Sequence, residues 1–272
     1  MLNVLTAIGV HHISRWIFNC YLVADGGAGR PFVVDAGVPL NAAAVTAVLT
    51  GELGRSSEDL ALVTATHCHV DHVAGAPLLH ERTGAAVHLP AKARDYLAGE
   101  EPRTPGLRQM ARMTPVLTDQ RFDIAGLWNL VRNAKAAGYG SGPFTMPIKP
   151  TGFLDDGQTL PQAPDWEVIR TPGHTDDSIS FYNAAGRTLL SGDAVLTFGG
   201  HGWFNPEITD ESLSAATEDR LRSLAVDHLL PGHGRPVHGR DLMSKAWSFT
   251  DRARDHGYPL LGCKWLSRGT TR

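Results

Sequence analysis

The sequence has few cysteines, no long apolar run and no excess of charge of one sign. Its three cysteines, Cys20, Cys68 and Cys263, are too few and too scattered in 272 residues for a disulfide framework. No run reaches the roughly 18 apolar residues of a membrane-spanning helix, and the chain does not begin with a basic segment leading into an apolar one. With 25 Lys and Arg against 28 Asp and Glu, the net charge of −3 argues against a nucleic-acid-binding face. We therefore expect a cytoplasmic protein that binds neither membranes nor nucleic acid.

The apolar content is high enough for a sizeable core. Hydrophobic residues make up 42% of the chain and charged residues 19%, which argues against disorder. Short strand-like segments alternate with helical ones in two similar halves. This alternation predicts an α/β fold in which two sheets pack together with helices outside, in one domain. Residues 92–145 interrupt the rhythm with several prolines and glycines, so we expect them to form a helical insertion.

Several elements can be predicted from local pattern alone. Apolar residues at helical spacing predict a helix over residues 39–54 and another over 119–137 inside the insertion. We expect a further helix over 210–224, with Asp210 as its N-cap. At the two ends of the chain we expect a strand over residues 2–10 and a last helix over residues 239–256.

Histidine is the one unusually frequent residue, with 13 copies. Four ligand-type side chains, His67, His69, Asp71 and His72, fall within six residues, where an apolar strand ends and a helix begins. On an extended segment His67 and His69 point the same way, while Cys68 points away from them. We therefore predict that Cys68 is a packed thiol, with a nucleophile or ligand as the alternative. Asp71 and His72 can turn toward a second point nearby.

Three further ligand-type residues, His174, Asp193 and His233, each follow an apolar strand beside a glycine. Strand ends are where rigid scaffolds present site residues. The full set predicts two metal ions per chain. The ligands of the first would be His67, His69 and His174; those of the second Asp71, His72 and His233; Asp193 would bridge the two. Imidazole and carboxylate ligands suit Zn²⁺, with iron or manganese as alternatives.

The motifs THCHVDHVAG, PGHT, SGDAV and PGHG resemble those of the metallo-β-lactamase superfamily, over about residues 19–240. The resemblance implies the four-layered αββα sandwich of that superfamily, with a dinuclear site at one edge of the sheets. It also implies that Asp35, in FVVDAG, is a buried residue that orients a ligand or loop near the site. A carboxylate that caps a turn at the end of its strand is the alternative.

A pair of divalent metals would lower the pKa of a shared water toward ~7 and provide a hydroxide at neutral pH. We expect this hydroxide to cleave an ester, lactone or thioester bond of a small substrate. The bridging Asp193 is shared with the glyoxalase II and lactonase-like branch. It stands where lactamases with a cysteine ligand carry Cys, which makes β-lactamase activity a weaker alternative. The motifs are also compatible with a phosphodiester or phosphonate hydrolase, an iron-dependent persulfide dioxygenase or a non-catalytic binding module.

Some further residues are candidates for proton transfer or for substrate contact. Asp71 and His201 could transfer protons, although ligation is the main role expected for Asp71. The candidate substrate contacts are Met110, Met113 and Trp128 in the insertion, and Trp203 and Phe204 in the segment after Asp193. The insertion would then be a cap that selects the substrate. The alternative is that these residues pack the insertion onto the sandwich or onto a second subunit, and a homodimer is one option for the oligomeric state.

Overall fold

Short apolar segments in the first half of the chain form a six-stranded sheet. In the computed structural model, which describes residues 4–134 and 144–258, these strands occur in chain order across the sheet. They are β1 (Val10–Arg15), β2 (Phe18–Val23), β3 (Phe32–Val34), β4 (Leu62–Thr64), β5 (Ala86–Pro90) and β6 (Gly152–Leu154). The first three strands pair antiparallel, and β3 to β6 pair parallel.

The second half of the chain forms a second six-stranded sheet and a separate hairpin. Its strands are β7 (Thr159–Leu160), β8 (Ala163–Arg170), β9 (Ile179–Asn183), β10 (Thr188–Gly192), β11 (Val195–Phe198), β12 (His201–Phe204), β13 (His228–Pro231) and β14 (Val237–His238). The order across the sheet is β14-β13-β10-β9-β8-β7, and β11 with β12 forms the hairpin. The strands β10 and β13 pair parallel, whereas β9 is antiparallel to both β8 and β10.

The described part of the chain contains ten α-helices. They are α1 (Val4–Ala7), α2 (Pro39–Ala47), α3 (Val70–Val73), α4 (Ala76–Thr83), α5 (Ala93–Leu97), α6 (Leu107–Met110), α7 (Thr114–Asp119), α8 (Ile124–Ala134), α9 (Glu211–Arg222) and α10 (Leu242–Lys245). A π-helical turn, Val48–Glu52, continues α2 and completes the predicted helix over 39–54. Among the described helices, none is long and apolar enough to cross a membrane.

Successive side chains along a strand pack on opposite faces of its sheet, and this divides the core into layers. In β3, Phe32 and Val34 pack with residues of the second sheet, while Val33 packs with α2 and α4 on the other face. In β10, Leu190 belongs to the core between the sheets and Leu189 packs with Leu221 of α9. Successive strand residues point to opposite faces, so each sheet has one face for its partner sheet and one for helices. The predicted αββα sandwich is therefore confirmed.

The two predictions at the chain ends are wrong. Instead of a strand over 2–10, the helix α1 is followed by a turn at Gly9, with φ +73°, before β1 begins at Val10. Instead of one helix over 239–256, only α10 and a 3₁₀ turn at Ala253–His256 form. Between them Trp247 is extended, because its N–H donates to Gly202 and its carbonyl accepts from Phe204, each at 2.9 Å. Tertiary pairing with β12 thus overrides helical spacing.

The insertion at residues 92–145 contains the helices α5 to α8 and a 3₁₀ turn at Ala111–Met113, with irregular segments between them such as residues 100–106. The predicted helix over 119–137 is divided, since α7 ends at Asp119 and α8 begins at Ile124. Gln120 is extended at the break, and the Asp123 carboxylate accepts the Ala125 N–H at 3.0 Å to start the new helix. Residues 135–143 lie outside the described part.

Candidate metal centre

The polar ends of four strands meet at one edge of the sandwich. The strands β8, β10 and β13 run in the same direction, so their carboxyl ends share one edge of the second sheet. The carboxyl end of β4 lies beside them, because the Ile179 N–H donates to the Thr66 carbonyl at 2.8 Å. The segments that follow these strands carry all seven predicted ligands.

The change from extended to helical backbone after β4 divides its four ligands into two pairs. His69 is the N-cap residue of α3 with an extended backbone, so His67 and His69 precede the helix. Asp71 and His72 lie in the helix itself. The local geometry inferred from the sequence is the one observed.

The first group of candidate ligands consists of His67, His69 and His174, whose ligand atoms lie within 4.8 Å of one another. The Nε2 atom of His174 is 3.3 Å from Nδ1 of His69. The pKa of His69 is lowered to about 3 by burial and by the neighbouring His174. Burial also lowers the pKa of His67, and the surrounding imidazoles lower it further. Both imidazoles are therefore neutral, which is the form that binds metal.

The second group consists of Asp71, His72 and His233, again within 4.8 Å of one another. The Nε2 atom of His233 lies 3.2 Å from Oδ2 of Asp71. Although burial opposes it, Asp35, Asp193 and Asp71 raise the pKa of His72 to about 9. His233 also has a raised pKa, because Asp193 and Asp71 outweigh its burial. These two imidazoles hold protons that a metal ion would displace.

Asp193 lies between the two groups. Its Oδ2 atom is 3.2 Å from Nε2 of His233 and 3.6 Å from Nε2 of His174, and its Oδ1 atom is 3.6 Å from Nε2 of His72. Burial raises the pKa of this carboxyl, but His233 and His72 lower it more, so it is ionised. A Cβ atom at Gly232 would lie 2.2 Å from Oδ1, so glycine is required for this approach.

The donor set fits divalent metal ions. Three polar atoms, Nε2 of His67, Nε2 of His72 and Oδ1 of Asp193, are buried and have no hydrogen-bond partner among the described residues. Buried polar atoms normally have partners, and those without one call for an explanation such as a bound ion. Five imidazoles and two carboxylates without a thiolate are ligands that zinc, iron and manganese accept.

Other contacts orient the imidazoles. Asp35 is buried and its Oδ2 atom is 3.0 Å from Nδ1 of His72, while its Oδ1 atom accepts the Thr66 N–H at 2.7 Å. Asp35 therefore lies where the family resemblance implies. Carbonyl oxygens of Glu207 and Ile17 lie 2.7 Å from Nδ1 of His174 and of His233. Each carbonyl holds the proton on Nδ1 and leaves Nε2 free as a metal ligand.

Asp177 is a site residue that the sequence pattern does not reveal. Its carboxylate is buried, and Oδ2 accepts the backbone N–H of Cys68 at 2.7 Å, which connects the segment after β4 to the segment after β8. Burial raises the pKa of Asp177 and, with the help of this carboxylate, that of the buried Cys68 thiol. The only signal in the sequence is the pair of carboxylates close behind His174, which is uninformative by itself.

The remaining candidate residues lie at various distances from this centre. His201 is exposed at the far end of the β11–β12 hairpin and stacks on Trp247, with ring centroids 5.4 Å apart. Met113, Trp203 and Phe204 are buried in apolar clusters, at 7%, 1% and 2% exposure. Met110 and Trp128 are exposed, at 49% and 62%. The structure thus gathers the seven predicted ligands and separates them from His201.

Comparison with known proteins agrees with this architecture. The sequence model of the metallo-β-lactamase superfamily matches residues 15–233. A probable metallo-hydrolase, YflN, of Bacillus subtilis is 26% identical over 268 residues, covering 90% of this chain and 91% of the relative. A hydroxyacylglutathione hydrolase of Hydrogenovibrio crunogenus is 34% identical over 96 residues, which cover 34% of each chain. The crystal structure of the BLEG-1 B3 metallo-β-lactamase has the same fold, with a TM-score of 0.58, 18% identity and coverage of 84% of this chain and 93% of that one.

Proposed function

The chain belongs to the metallo-β-lactamase superfamily, and from this premise we propose that it hydrolyses an ester, lactone or thioester bond of a small substrate at a dinuclear metal site. The observation that carries the proposal is the position of Asp193 between two groups of three ligand-type side chains. A carboxylate with two oxygens in this position suits two metal ions rather than one.

Each part of the ligand set has a role in this proposal. One metal ion would be held by His67, His69 and His174 and the other by Asp71, His72 and His233, and Asp193 would be a ligand shared by both. Zinc is the first choice, with iron or manganese as alternatives. Divalent metals in such a site, when bound, act as Lewis acids and lower the pKa of water toward ~7.

The protein's own side chains have two tasks beyond ligation. Asp71, whose side chain is 16% exposed against 3% for Asp193, is the carboxylate that can exchange a proton with a leaving group. Asp35 and the Glu207 and Ile17 carbonyls hold the imidazoles in the orientation that ligation needs. His201 has no role in this proposal, because it stacks on Trp247 at the far end of its hairpin.

One observation concerns the nucleophile and another the substrate. Cys68 is buried and its thiol pKa is raised, so its thiolate does not compete with water as the nucleophile. The local similarity to a hydroxyacylglutathione hydrolase covers 96 residues. Together they favour hydrolysis of a thioester or related ester by water.

We further propose that the chain forms a single domain and that the insertion at residues 92–145 is a cap on it. This cap would select a small-molecule substrate. Its helix α8 packs against α3, the helix that carries Asp71 and His72. The backbone N–H of Leu40 donates to the Asn129 side chain of α8 at 3.1 Å, which fixes the helix near the metal edge. An exposed apolar side chain such as Trp128 could then bind an acyl group.

The test combines metal analysis with a substrate panel. We expect two metal ions per chain and the highest kcat/KM on a hydroxyacyl-glutathione thioester, a lactone or a p-nitrophenyl ester. Asp193→Asn should lose at least about 100-fold in kcat/KM, as removal of a single stabilising group costs in comparable sites. Asp219→Asn, on the exposed face of α9, is the matched control. A preference for bis-p-nitrophenyl phosphate or a β-lactam, or consumption of oxygen with a persulfide, would contradict the proposal.

A further inference from the structure

A cavity separate from the candidate metal centre lies between the insertion and the segment after Trp247. It has a volume of about 270 Å³ and includes none of the candidate metal ligands in its wall. Four of its lining residues are arginines, Arg108 and Arg112 from the insertion and Arg252 and Arg254 from the segment after Trp247. The volume suits a small ligand rather than a peptide.

The described residues neutralise only part of the positive charge of this cavity. Among the described residues of its wall, Asp251 alone is acidic. Within the described ranges, Arg108, Arg112 and Arg252 form no ion pair with a carboxylate, and Arg254 lies 3.6 Å from Asp255. Like charges are costly to hold together without a counter-ion, so the cavity favours an anion.

The wall of the cavity also has an apolar part. Ala111, Pro115 and Ala253 line it, together with Thr250 and the ring of Trp203, which is 1% exposed. A ligand that fits therefore has acceptor oxygens, negative charge and an apolar body.

We propose that this cavity binds a phosphate group, either free phosphate or the phosphate of a small monoester. A phosphate dianion offers several oxygens to planar guanidinium groups, which bind it through paired N–H donors. A monocarboxylate has one negative charge and two oxygens, so it forms fewer hydrogen bonds with these arginines and is attracted to them less strongly. The apolar part of the wall contacts the ester group where one is present.

The experiment is a calorimetric titration of the metal-loaded protein at constant ionic strength. Inorganic phosphate, phenyl phosphate and benzoate are the three probes. We expect saturable binding of the two phosphates and weaker binding of benzoate. Tighter binding of phenyl phosphate than of inorganic phosphate identifies a monoester as the ligand, and equal binding identifies free phosphate. Tighter binding of benzoate, or no saturable binding of phosphate, overturns the proposal.

Variants locate the bound phosphate. Arg112→Gln and Arg252→Gln should each raise the Kd for phosphate about three- to tenfold, since each removes a charge-assisted hydrogen bond. Arg82→Gln, an exposed arginine at the end of α4, is the control and should leave the Kd unchanged. Because metal ions also bind phosphate, unchanged affinity in both cavity arginine variants would assign the binding to the metal centre and overturn the proposal.

Discussion

Asp177 illustrates how a residue that does not bind a metal can hold a metal centre together. Its carboxylate accepts the Cys68 N–H, so it fixes the backbone between His67 and His69 from the loop that carries His174. Partners of this kind are worth about 10- to 100-fold in metal affinity. We expect Asp177→Ala to raise the Kd for zinc by about tenfold or more, measured by competition with a chelator.

The conservative variant separates this positioning role from a general loss of structure. Asp177→Asn keeps an oxygen that can accept the Cys68 N–H, so its zinc affinity should lie close to that of the parent protein. Asp219→Ala on α9 controls for loss of a carboxylate elsewhere. Equal zinc affinity in Asp177→Ala and the parent protein would show that this hydrogen bond has no positioning role.

Cys68 lies between two candidate ligands, yet the structure gives it a packing role. The residue is 2% exposed, and burial raises the pKa of its thiol. We predict that Cys68→Ser retains kcat/KM within about threefold, because the reaction needs no thiolate. Steady-state kinetics and metal analysis on the same sample test this. Complete inactivation with the metal content unchanged would show that the thiol takes part in the chemistry.

The imidazoles of the second group predict how the metal-free protein responds to pH. His72 has a pKa of about 9 in the folded chain against an ordinary value of 6.5, and the pKa of His233 is raised as well. A histidine whose pKa is higher in the folded chain than in the unfolded chain stabilises the folded state. This stabilisation is complete below pH 6.5 and is lost as the pH rises through about 9. The pKa values of His67 and His69 are lowered, so these two residues change the stability only below pH 6.5. They do not affect the stability between pH 6.5 and about 9.

We therefore expect the free energy of unfolding of the metal-free protein to fall between pH 6.5 and pH 9.5, as measured by urea denaturation. The metal-loaded protein should not show this fall, because metal ions bind the deprotonated imidazoles. His72→Gln should flatten the decline in the metal-free protein. A stability that rises across this range would contradict the assignment of protons to these two imidazoles.

At the scale of elements, the sequence is most informative where local pattern and tertiary structure agree. The strands β4, β10 and β13 are apolar runs that precede predicted ligands; β4 ends beside polar residues and the other two end at or beside glycine, and these patterns predict each strand. The helix α9 is predicted together with its N-cap, Asp210, whose side chain accepts the Leu213 N–H at 3.0 Å. The predictions fail where residues distant in sequence determine the backbone conformation, as at Trp247, which pairs with β12.

Burial is the second property that local pattern does not reveal. Met113 and Trp128 both belong to the insertion, and the sequence makes them equal candidates for substrate contact. The structure buries Met113 in a cluster with Leu196 and Trp203, whereas Trp128 is 62% exposed. An apolar side chain on a helix fits a core and a binding surface equally well, so only the neighbouring elements distinguish the two.

This difference supplies a matched test of the proposed cap. Trp128→Ala removes an exposed side chain and should change stability by less than about 0.5 kcal/mol. If the insertion selects the substrate, this variant should change the ratio of kcat/KM between long and short acyl esters by about fivefold or more. Met113→Ala should instead cost about 2 kcal/mol or more in stability, with little effect on that ratio. An unchanged ratio in Trp128→Ala would contradict a substrate-selecting role of Trp128.

At the scale of the whole molecule, the centre joins the two halves of the chain. His67, His69, Asp71 and His72 come from the segment after the first sheet's β4, and His174, Asp193 and His233 follow strands of the second sheet. Which residues would meet could be predicted from strand ends and ligand count. The supporting contacts from Asp177, Glu207 and Ile17 could not, since two of them are backbone carbonyls with no sequence signature.

A centre built from both halves couples metal binding to global stability. Metal ions that bind only the folded chain stabilise it by about 2.7 kcal/mol at 100 times Kd and about 4.1 kcal/mol at 1,000 times Kd. For a chain of this size, each kcal/mol corresponds to about 2–4 °C in Tm. We therefore expect removal of the metal by a chelator to lower Tm by about 5–15 °C, as measured by calorimetry, and zinc to restore it. Asp193→Asn should reduce this difference because the oxygen shared between the two ligand groups loses its charge, while Asp219→Asn should retain it. A Tm that is independent of chelator in the parent protein would mean that the seven side chains hold no metal ion that links the two sheets.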